Sequence, residues 1–289
     1  MKLTYTFKSD ILFKMVFVKY PHLLKAFIAV IFQIPVESIS EFKILNSEMT
    51  PETIEGKFCR LDINMTVNGQ QVDIEIQVTN EGNYPERVMF YWARDYSSAL
   101  PAGGNYSALP RTIIISIIDF ELFDCEEYHS FFQPLETTRH TLLSDKMGFH
   151  FFELPKLPAE VDEDNLLLLW LSLFNAESEE ELEKLGKMEV PVMSEAINAY
   201  YSVANSSEYR EMERLREKTK HDEAQALYSA EQRGIKQGIK QGIKQGKTEG
   251  IIEVARNLIA DNMPLEQVMR VTGLTLNEIE KLRTTSYLS

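Results

Sequence analysis

Acidic side chains interrupt a segment that otherwise favours β-structure, LDINMTVNGQQVDIEIQ, at residues 61–77. Asp62, Asp73 and Glu75 stand among Ile, Val and Met residues, a pattern that a strand buried on both faces would exclude. Asn68-Gly69, at the centre of the segment, is the strongest two-residue signal for a hairpin turn. If these two residues form the turn, the numbers of every cross-strand pair add up to 137, and Asp62 lies opposite Glu75.

Each strand of this predicted hairpin has one apolar and one polar face, because successive side chains of a strand point to opposite sides. The apolar face is expected to pack on the core and comprises Ile63, Met65, Val67, Val72, Ile74 and Ile76. The polar face comprises Asp62, Asn64, Thr66, Gln71, Asp73, Glu75 and Gln77. The side chains that could bind a ligand or take part in catalysis therefore all lie on one face of the hairpin.

Two carboxylates that face each other across strands destabilise a sheet. At a separation of about 5 Å their repulsion is on the order of 3 to 4 kcal/mol for an effective dielectric near 20. A divalent cation offsets that repulsion, and oxygen ligands on neighbouring strands suit Mg²⁺ or Mn²⁺. The alternative is a solvated sheet face on which the acids are tolerated, and the hairpin by itself leaves both interpretations open.

The segments that must position this hairpin follow an α/β order. The N-terminal stretch SDILFKMVFVKYPHLLKAFIAVIF predicts one or two helices, with Ser9 or Asp10 as the N-cap. After the hairpin, Pro85 opens the helical pattern PERVMFYWARDYSSAL. The run TIIISIIDF is typical of a strand buried on both faces, and YHSFFQPLE and GFHFFELPKL predict two more strands. We therefore predict a mixed sheet flanked by helices over residues 1–157.

The remainder of the chain is predicted to be all-α. Residues 158–230 are expected to form a helical connector, acidic at its start, since residues 153–189 contain 11 acids and 3 bases. Residues 231–250 repeat Gly every fourth position, which indicates either a helix closely approached by a partner or a flexible linker. Residues 251–289 predict three short helices, either a helix-turn-helix that reads DNA or, because basic residues are few, an assembly module.

The charge of the chain is distributed unevenly. The net charge of −14 disfavours a polyanion as partner, yet residues 1–120 contain 11 Lys+Arg and 13 Asp+Glu, so the acid excess lies in the second half. The first half is therefore nearly neutral, and its charge does not prevent it from binding DNA. Cys59 and Cys125 lack the spacing of a disulfide framework or a zinc site, and no apolar run is long enough for a membrane span, which favours a cytoplasmic protein.

A resemblance to a known family rests on several ordered segments. Asp62, followed after twelve residues by Glu75-Ile-Gln77, resembles the D…(D/E)xK core of the PD-(D/E)XK nuclease superfamily. The chain is most similar to the recombination-promoting nucleases, a family also described as transposases. The segments that carry this similarity are DILFKMVF, RLDINM, NGQQVDIEIQ, YPERVMFYWARDY, GGNYSALPRTIIISIIDF, FFELPKL and the Gly-repeat tail that ends in TGLTLNEIEKL.

The resemblance implies a restriction-endonuclease-like fold and a Mg²⁺-dependent DNA endonuclease, with Mn²⁺ or Ca²⁺ as other ions. It implies that the carboxylates of Asp62 and Glu75 bind the cation and that the carbonyl of Ile76 completes the coordination. Asp10 falls where the superfamily often places another acid, although Asp10 also suits a helix N-cap. Gln77 replaces the superfamily's lysine, and its amide can orient the attacking water but cannot supply positive charge.

Basic residues on the predicted helix after the hairpin offer contacts to DNA. Arg87, Tyr91 and Arg94 share a helix face by their spacing of four and three. Our hypothesis is that Arg87 reaches the scissile phosphate and that Arg94 or Lys14 holds the flanking backbone. The alternative is that these side chains pair with nearby surface acids.

Two functions of different class remain open from the sequence. The first is a metal-dependent endonuclease linked to recombination or mobile DNA, assembled as a homo-oligomer through its C-terminal helices. The second is a catalytically weak DNA-binding or oligomeric interaction protein built on a nuclease scaffold.

Overall fold

The computed structural model describes residues 1–46 and 63–285 of the chain. These residues divide into two compact units, Met1–Thr219 and Lys220–Ser289. The first unit contains the sheet and the predicted functional hairpin. In the second unit, the described residues form helices joined by short turns.

The first unit is organised around a mixed sheet, which has six strands within the described residues. They are β1 (Phe42–Ile44), β2 (Ile63–Val67), β3 (Gln70–Gln77), β4 (Thr112–Ile118), β5 (His129–Phe132) and β6 (Met147–Glu153). Their order across the sheet is β1-β2-β3-β4-β6-β5. Strands β3, β4 and β6 run parallel, whereas the β1–β2, β2–β3 and β5–β6 pairs are antiparallel. The predicted mixed sheet is confirmed, and the three-residue strand β1 is an addition that its short sequence did not reveal.

The hairpin forms with the register that the Asn-Gly turn predicts. Asn68 and Gly69 have φ angles of 48° and 74°, as a two-residue turn with both central residues in the left-handed region requires. The five described pairs run from Val67 opposite Gln70 to Ile63 opposite Ile74, so the predicted sum of 137 is confirmed. The Asn68 side chain also accepts hydrogen bonds from the backbone of residues 40 and 41, which fixes the turn against the preceding segment.

Replacing Gly69 with alanine is expected to lower the free energy of unfolding by about 1 to 2 kcal/mol, because an L-residue is strained at its φ of 74°. An added Cβ would meet nothing within 4 Å, so the cost is conformational rather than steric. The control is Gly186→Ala, at the end of the helix Glu179–Gly186, where the Cβ would make an ordinary 3.8 Å contact with Ile197. Urea unfolding of both variants measures the difference, and equal destabilisation by the two would contradict the turn argument.

Helices cover both faces of the sheet. Helices α1 (Asp10–Lys19) and α2 (Pro21–Phe32) pack in the same core as the apolar face of the hairpin, which contributes Ile63, Met65, Val67, Val72, Ile74 and Ile76. Helix α3 (Tyr84–Ser98) lies on the opposite face, where Tyr84 and Val88 pack with Ile114, Ile118, Phe149 and Phe151. Strand β4 is buried along its whole length between these two layers, as its continuous apolar sequence predicts.

Three helices between residues 158 and 219 pack onto the same core as α1 and α2. They are α4 (Leu166–Asn175), α5 (Glu179–Gly186) and α6 (Pro191–Ala204). Their buried residues include Trp170, Phe174, Leu182 and Tyr200, which belong to the large core of the first unit. The acids of α5 begin at a capping box formed by Ser178 and Glu181 and remain on its solvent side. This stretch, predicted as a connector, therefore contributes core to the sheet domain.

Helix α7 (Ser207–Ala260) contains the Gly repeat, and the boundary between the two units falls inside it. A Cβ added at any of the repeat glycines from 234 to 250 would meet nothing within 4 Å. After α7 come α8 (Leu265–Thr272) and α9 (Leu276–Thr285). Ala255, Val268 and Ile279 form a small core there, and Thr275 and Glu278 form the predicted capping box.

Within the described ranges, no single helix has both the length and the apolar composition needed to cross a membrane. The bent pair α1 and α2 meets those criteria only when its two helices are taken together.

Candidate functional site

The central carboxylate of the polar face, Glu75, is held by a residue that follows the hairpin. The Tyr84 hydroxyl donates a hydrogen bond of 2.5 Å to Glu75 Oε1. Tyr84 occupies the first turn of α3, and its ring is buried against Phe120 and Phe151. A carboxylate has about four acceptor positions, and the Tyr84 hydroxyl occupies one of them. Tyr84 therefore fixes the orientation of Glu75.

The protonation state of Tyr84 follows from its surroundings. Burial, followed by the negative charge of Glu75 and the hydrogen bond to it, raises the pKa of Tyr84 well above its usual value. The Ser116 hydroxyl and the positive charge of Arg87 act in the opposite direction with smaller effect. Tyr84 thus remains a hydrogen-bond donor to Glu75 over the whole neutral and mildly alkaline range.

If Glu75 binds a metal ion, as the sequence analysis predicts, Tyr84→Phe is expected to reduce DNA cleavage by about 10- to 100-fold, the usual cost of removing a partner that orients a metal-binding carboxylate. The phenylalanine ring retains the contacts with Phe120 and Phe151, so the melting temperature should change little. Tyr96→Phe is the control, because Tyr96 is on the same helix and stacks on Trp92 at 4.8 Å. Single-turnover cleavage rates measure the effect, and equal rates for the two variants would exclude a role of Tyr84 in orienting Glu75.

The end of β3 presents backbone as well as side-chain oxygens. The Gln77 carbonyl accepts a hydrogen bond of 2.9 Å from the Asp119 amide, on the β4 side of the strand. Because neighbouring carbonyls of a strand point in opposite directions, the Ile76 carbonyl points toward the β2 side. The Ile76 side chain is buried in the core. Gln77 Nε2 donates to the Thr79 carbonyl at 2.9 Å, which leaves the Oε1 atom as the part of this amide able to orient a water.

Arg87 lies beside the Tyr84–Glu75 pair. Its guanidinium carbon is 4.9 Å from the centre of the Tyr84 ring, and Nη1 is 3.6 Å from Glu81 Oε2. The side chain is 24% exposed, and its buried Nε has no hydrogen-bond partner among the described residues. Arg87 therefore lies beside the tyrosine that holds Glu75 and is accessible to a ligand from solvent.

Arg94 and Tyr91 lie further along the same helix. The Arg94 guanidinium is 5.5 Å from the centre of the Tyr91 ring, and its Nε is 3.6 Å from Asp95 Oδ1. The Arg94 side chain is 53% exposed. Arg94 thus pairs with a surface acid, as the alternative interpretation predicts, and it also remains accessible to a DNA backbone.

Lys14 does not suit its predicted contact with flanking DNA. It is only 3% exposed and lies among the buried residues of α1. A cation so deeply placed cannot present its charge to a phosphate backbone at the surface. We correct the prediction on this ground and do not include Lys14 among the DNA contacts.

Among the described residues, the contacts of Asp10 do not include Glu75. The N-cap of α1 is Ser9, whose side chain accepts from the Leu12 amide, and Asp10 occupies the first helical position. The Asp10 carboxylate pairs with Arg216 of α7 at 3.1 Å. Helix α1 packs on the apolar face of β3, whereas Glu75 points to the opposite face. A role of Asp10 as a metal ligand stays a prediction.

Asp62, the predicted partner of Glu75, lies outside the described residues. Within the described ranges, no group of three or more His, Cys, Asp and Glu side chains is arranged to hold a metal ion. Asp73 is on the same face as Glu75, is paired with Asn64 across the hairpin and is buried. The described part of the polar face thus contains two acids, Asp73 and Glu75.

Sequence reasoning missed the residues that support the polar face from other elements. Tyr84 was passed over because the hairpin itself contains no signal for its partner, although a tyrosine at the first turn of the next helix is a natural candidate. Ser116 is in register with Glu75 on β4 and fully buried. Away from this face, Arg216 pairs with Asp10 from more than 200 positions along the chain. No local sequence pattern predicts that Ser116 lies beside Glu75 or that Arg216 pairs with Asp10.

A mixed sheet with helices on both faces, and a hairpin whose polar face bears acids at the end of a central strand, define a nuclease-type α/β fold. Residues 7–230 match the family described as PD-(D/E)XK nuclease family transposase, and the chain belongs to this family. The predicted family is thereby confirmed, and the match extends through α4, α5 and α6. Neither the curated proteins nor the solved structures contain a match to this chain.

Proposed function

We propose that this protein is a metal-dependent endonuclease that hydrolyses phosphodiester bonds of DNA in recombination or in the movement of mobile DNA. The observation that carries the proposal is the Glu75 carboxylate, placed on the polar face of a hairpin in the predicted register and held there by Tyr84. The family to which the chain belongs supports the same reaction class.

The donor atoms at the end of β3 fit a hard divalent cation. They are the Glu75 carboxylate and the Ile76 carbonyl, to which we add Asp62, the residue that the pairing rule assigns to Glu75. Oxygen donors of this kind suit Mg²⁺ or Mn²⁺, which bind one or two carboxylates and retain several waters. When bound, such an ion lowers the pKa of a water and neutralises charge on the phosphate.

The chain's own residues then have distinct roles. Glu75 and Asp62 supply negative charge, and Tyr84 holds Glu75 in one orientation. Gln77 Oε1 accepts a hydrogen bond from the attacking water and orients it toward phosphorus. Arg87 supplies the positive charge that Gln77 lacks and pairs with a non-bridging oxygen of the scissile phosphate. Arg94 and Tyr91, one to two turns further along α3, contact the backbone beside it.

A second function, as an oligomeric interaction protein, is favoured by the exposed surface of α7. Ile235, Ile239 and Ile243 recur every four residues beside the repeat glycines and are all exposed. Together with the small C-terminal core, this stripe suits self-association of the chain. A homo-oligomeric nuclease combines both functions, whereas an inactive homo-oligomer retains only the second.

Cleavage of supercoiled plasmid distinguishes these functions. We expect nicked and linear products with Mg²⁺ or Mn²⁺ and none after chelation, with activity restored by adding the ion back. An Asp62→Ala variant purified in the same way should be inactive. Activity that persists in this variant, or in the presence of chelator, would contradict the proposal.

A further inference from the structure

A cavity of about 360 Å³ opens at the end of the sheet remote from Glu75. It is lined by the end of α2, by the starts of β3 and β4, and by β5 and β6. The lining residues that matter for binding are Ile34, Gln70, Arg111, His129, Phe131 and His150. Gln70 and Gln77 are the first and last residues of β3, so the cavity is roughly 20 Å along the strand from the candidate nuclease site. Gln70 also shares the face of Val72, opposite to that of Glu75.

The polar groups of this cavity converge without an acid among them. Arg111 precedes β4, and the lining contains no Asp or Glu among the described residues, although the chain as a whole has a net charge of −14. The Arg111 Nε and Gln70 Oε1 atoms are buried and have no hydrogen-bond partner within the described ranges. Buried polar atoms, whether donors such as Arg111 Nε or acceptors such as Gln70 Oε1, normally have hydrogen-bond partners in native proteins.

Two histidines form the wall beside Arg111. His129 Nε2 and His150 Nδ1 are 3.0 Å apart, so one ring nitrogen donates and the other accepts. The His150 ring stacks on Phe131 with 4.2 Å between centroids, which builds a flat aromatic surface at the cavity. Burial, followed by the charges of His129 and Arg111, lowers the pKa of His150 to about 3, and burial also lowers the pKa of His129. Arg111 is thus the fixed positive charge of the cavity at neutral pH.

We propose that this cavity binds a small organic anion, whose carboxylate or phosphate group pairs with Arg111 and whose flat or apolar body lies against Phe131 and Ile34. The cavity volume is within the range of small-molecule sites, which combine apolar walls with a few convergent polar groups. Arginine is the side chain best suited to a planar carboxylate or a phosphate. This binding is independent of the proposed nuclease reaction and requires none of its residues.

Nuclear magnetic resonance of the full chain labelled at histidine tests the proposal, with inorganic phosphate, benzoate and adenosine 5′-monophosphate as probes. We expect benzoate or the nucleotide to shift the His150 and His129 signals saturably and to bind at least tenfold more tightly than inorganic phosphate. An anion near the pair also favours its protonated form, so the apparent pKa of His150 should rise on binding.

Arg111→Gln should weaken this binding at least tenfold, whereas Arg139→Gln, the same substitution at an exposed arginine paired with Glu136, should leave it unchanged. Phe131→Ala should weaken the two organic probes more than inorganic phosphate. If Arg111→Gln does not fold, Arg111→Lys keeps the charge, removes the guanidinium fork and should give a smaller loss.

The proposed binding site would be contradicted if no probe gave a saturable shift of the histidine signals, or if the wild type and Arg111→Gln gave equal shifts. Equal affinity for phosphate and both organic probes would contradict the proposal that the cavity recognises the organic part of the anion. Because the readout is binding, an inactive nuclease does not affect the outcome.

Discussion

Glu75→Gln is expected to reduce DNA cleavage by about 10³-fold or more and to weaken Mn²⁺ binding in parallel. The substitution keeps the shape and the capacity to accept a hydrogen bond from Tyr84, but it removes the negative charge that a hard cation requires. Preorganised charge at a reacting phosphate accounts for effects of about this size in enzymes. Asp62→Asn should behave in the same way if the pairing rule extends one step beyond Ile63.

Glu86→Gln is the matched control for this prediction. Glu86 is on the first turn of α3, two residues after Tyr84, and is exposed. Plasmid cleavage and calorimetric titration with Mn²⁺ should both remain at the level of the wild type in this variant. Melting temperatures of all three variants should agree within a few degrees, and wild-type cleavage by Glu75→Gln would remove this carboxylate from the reaction.

Arg87→Ala is expected to lower single-turnover cleavage by about 10²- to 10³-fold while Mn²⁺ affinity changes less than about twofold. Arg87 lies beside the Tyr84 ring, and in the proposed mechanism its positive charge takes the place of the lysine that Gln77 replaces. Arg87→Lys should recover part of the rate, since lysine restores the charge without the planar fork.

The same substitution at Arg94 provides the comparison. Arg94 is more exposed than Arg87 and pairs with Asp95, so Arg94→Ala should weaken DNA binding modestly and flatten its salt dependence by about one unit of slope. The cleavage rate at saturating DNA should then change little. Unaltered cleavage by Arg87→Ala would exclude Arg87 from the mechanism, and equal losses in the two variants would assign both residues to binding alone.

Much of the sheet could be predicted because its signals are local. The Asn-Gly turn fixes the register of the hairpin within a few residues, and the continuous apolar run of β4 requires burial on both faces. Strand β1 could not be predicted, because three residues are too few to show a period. The role of residues 158–204 in the core was also missed, because an acidic stretch of amphipathic helices is equally typical of a solvent-exposed connector.

The candidate site was only partly accessible from sequence. The face that bears Glu75 follows from alternation along the strand, but the tyrosine that holds Glu75 comes from a different element. Lys14 was predicted, as an alternative to Arg94, to hold the flanking DNA backbone, and the structure places it inside because α1 buries almost every side chain around it. Burial of a single lysine depends on all the elements packed around it.

The sequence by itself determined the family, the α/β class, the hairpin register and the face on which the acids lie, because each of these depends on ordered motifs or on residues close along the chain. Tertiary structure decided the Tyr84–Glu75 hydrogen bond, the position of Arg87 beside it, the Asp10–Arg216 pair and the histidine-lined cavity at the other end of the sheet. Apart from the contact between Arg87 and Tyr84, which are three residues apart on one helix, these contacts join separate elements, and their geometry is set by how helices pack on the two faces of the sheet.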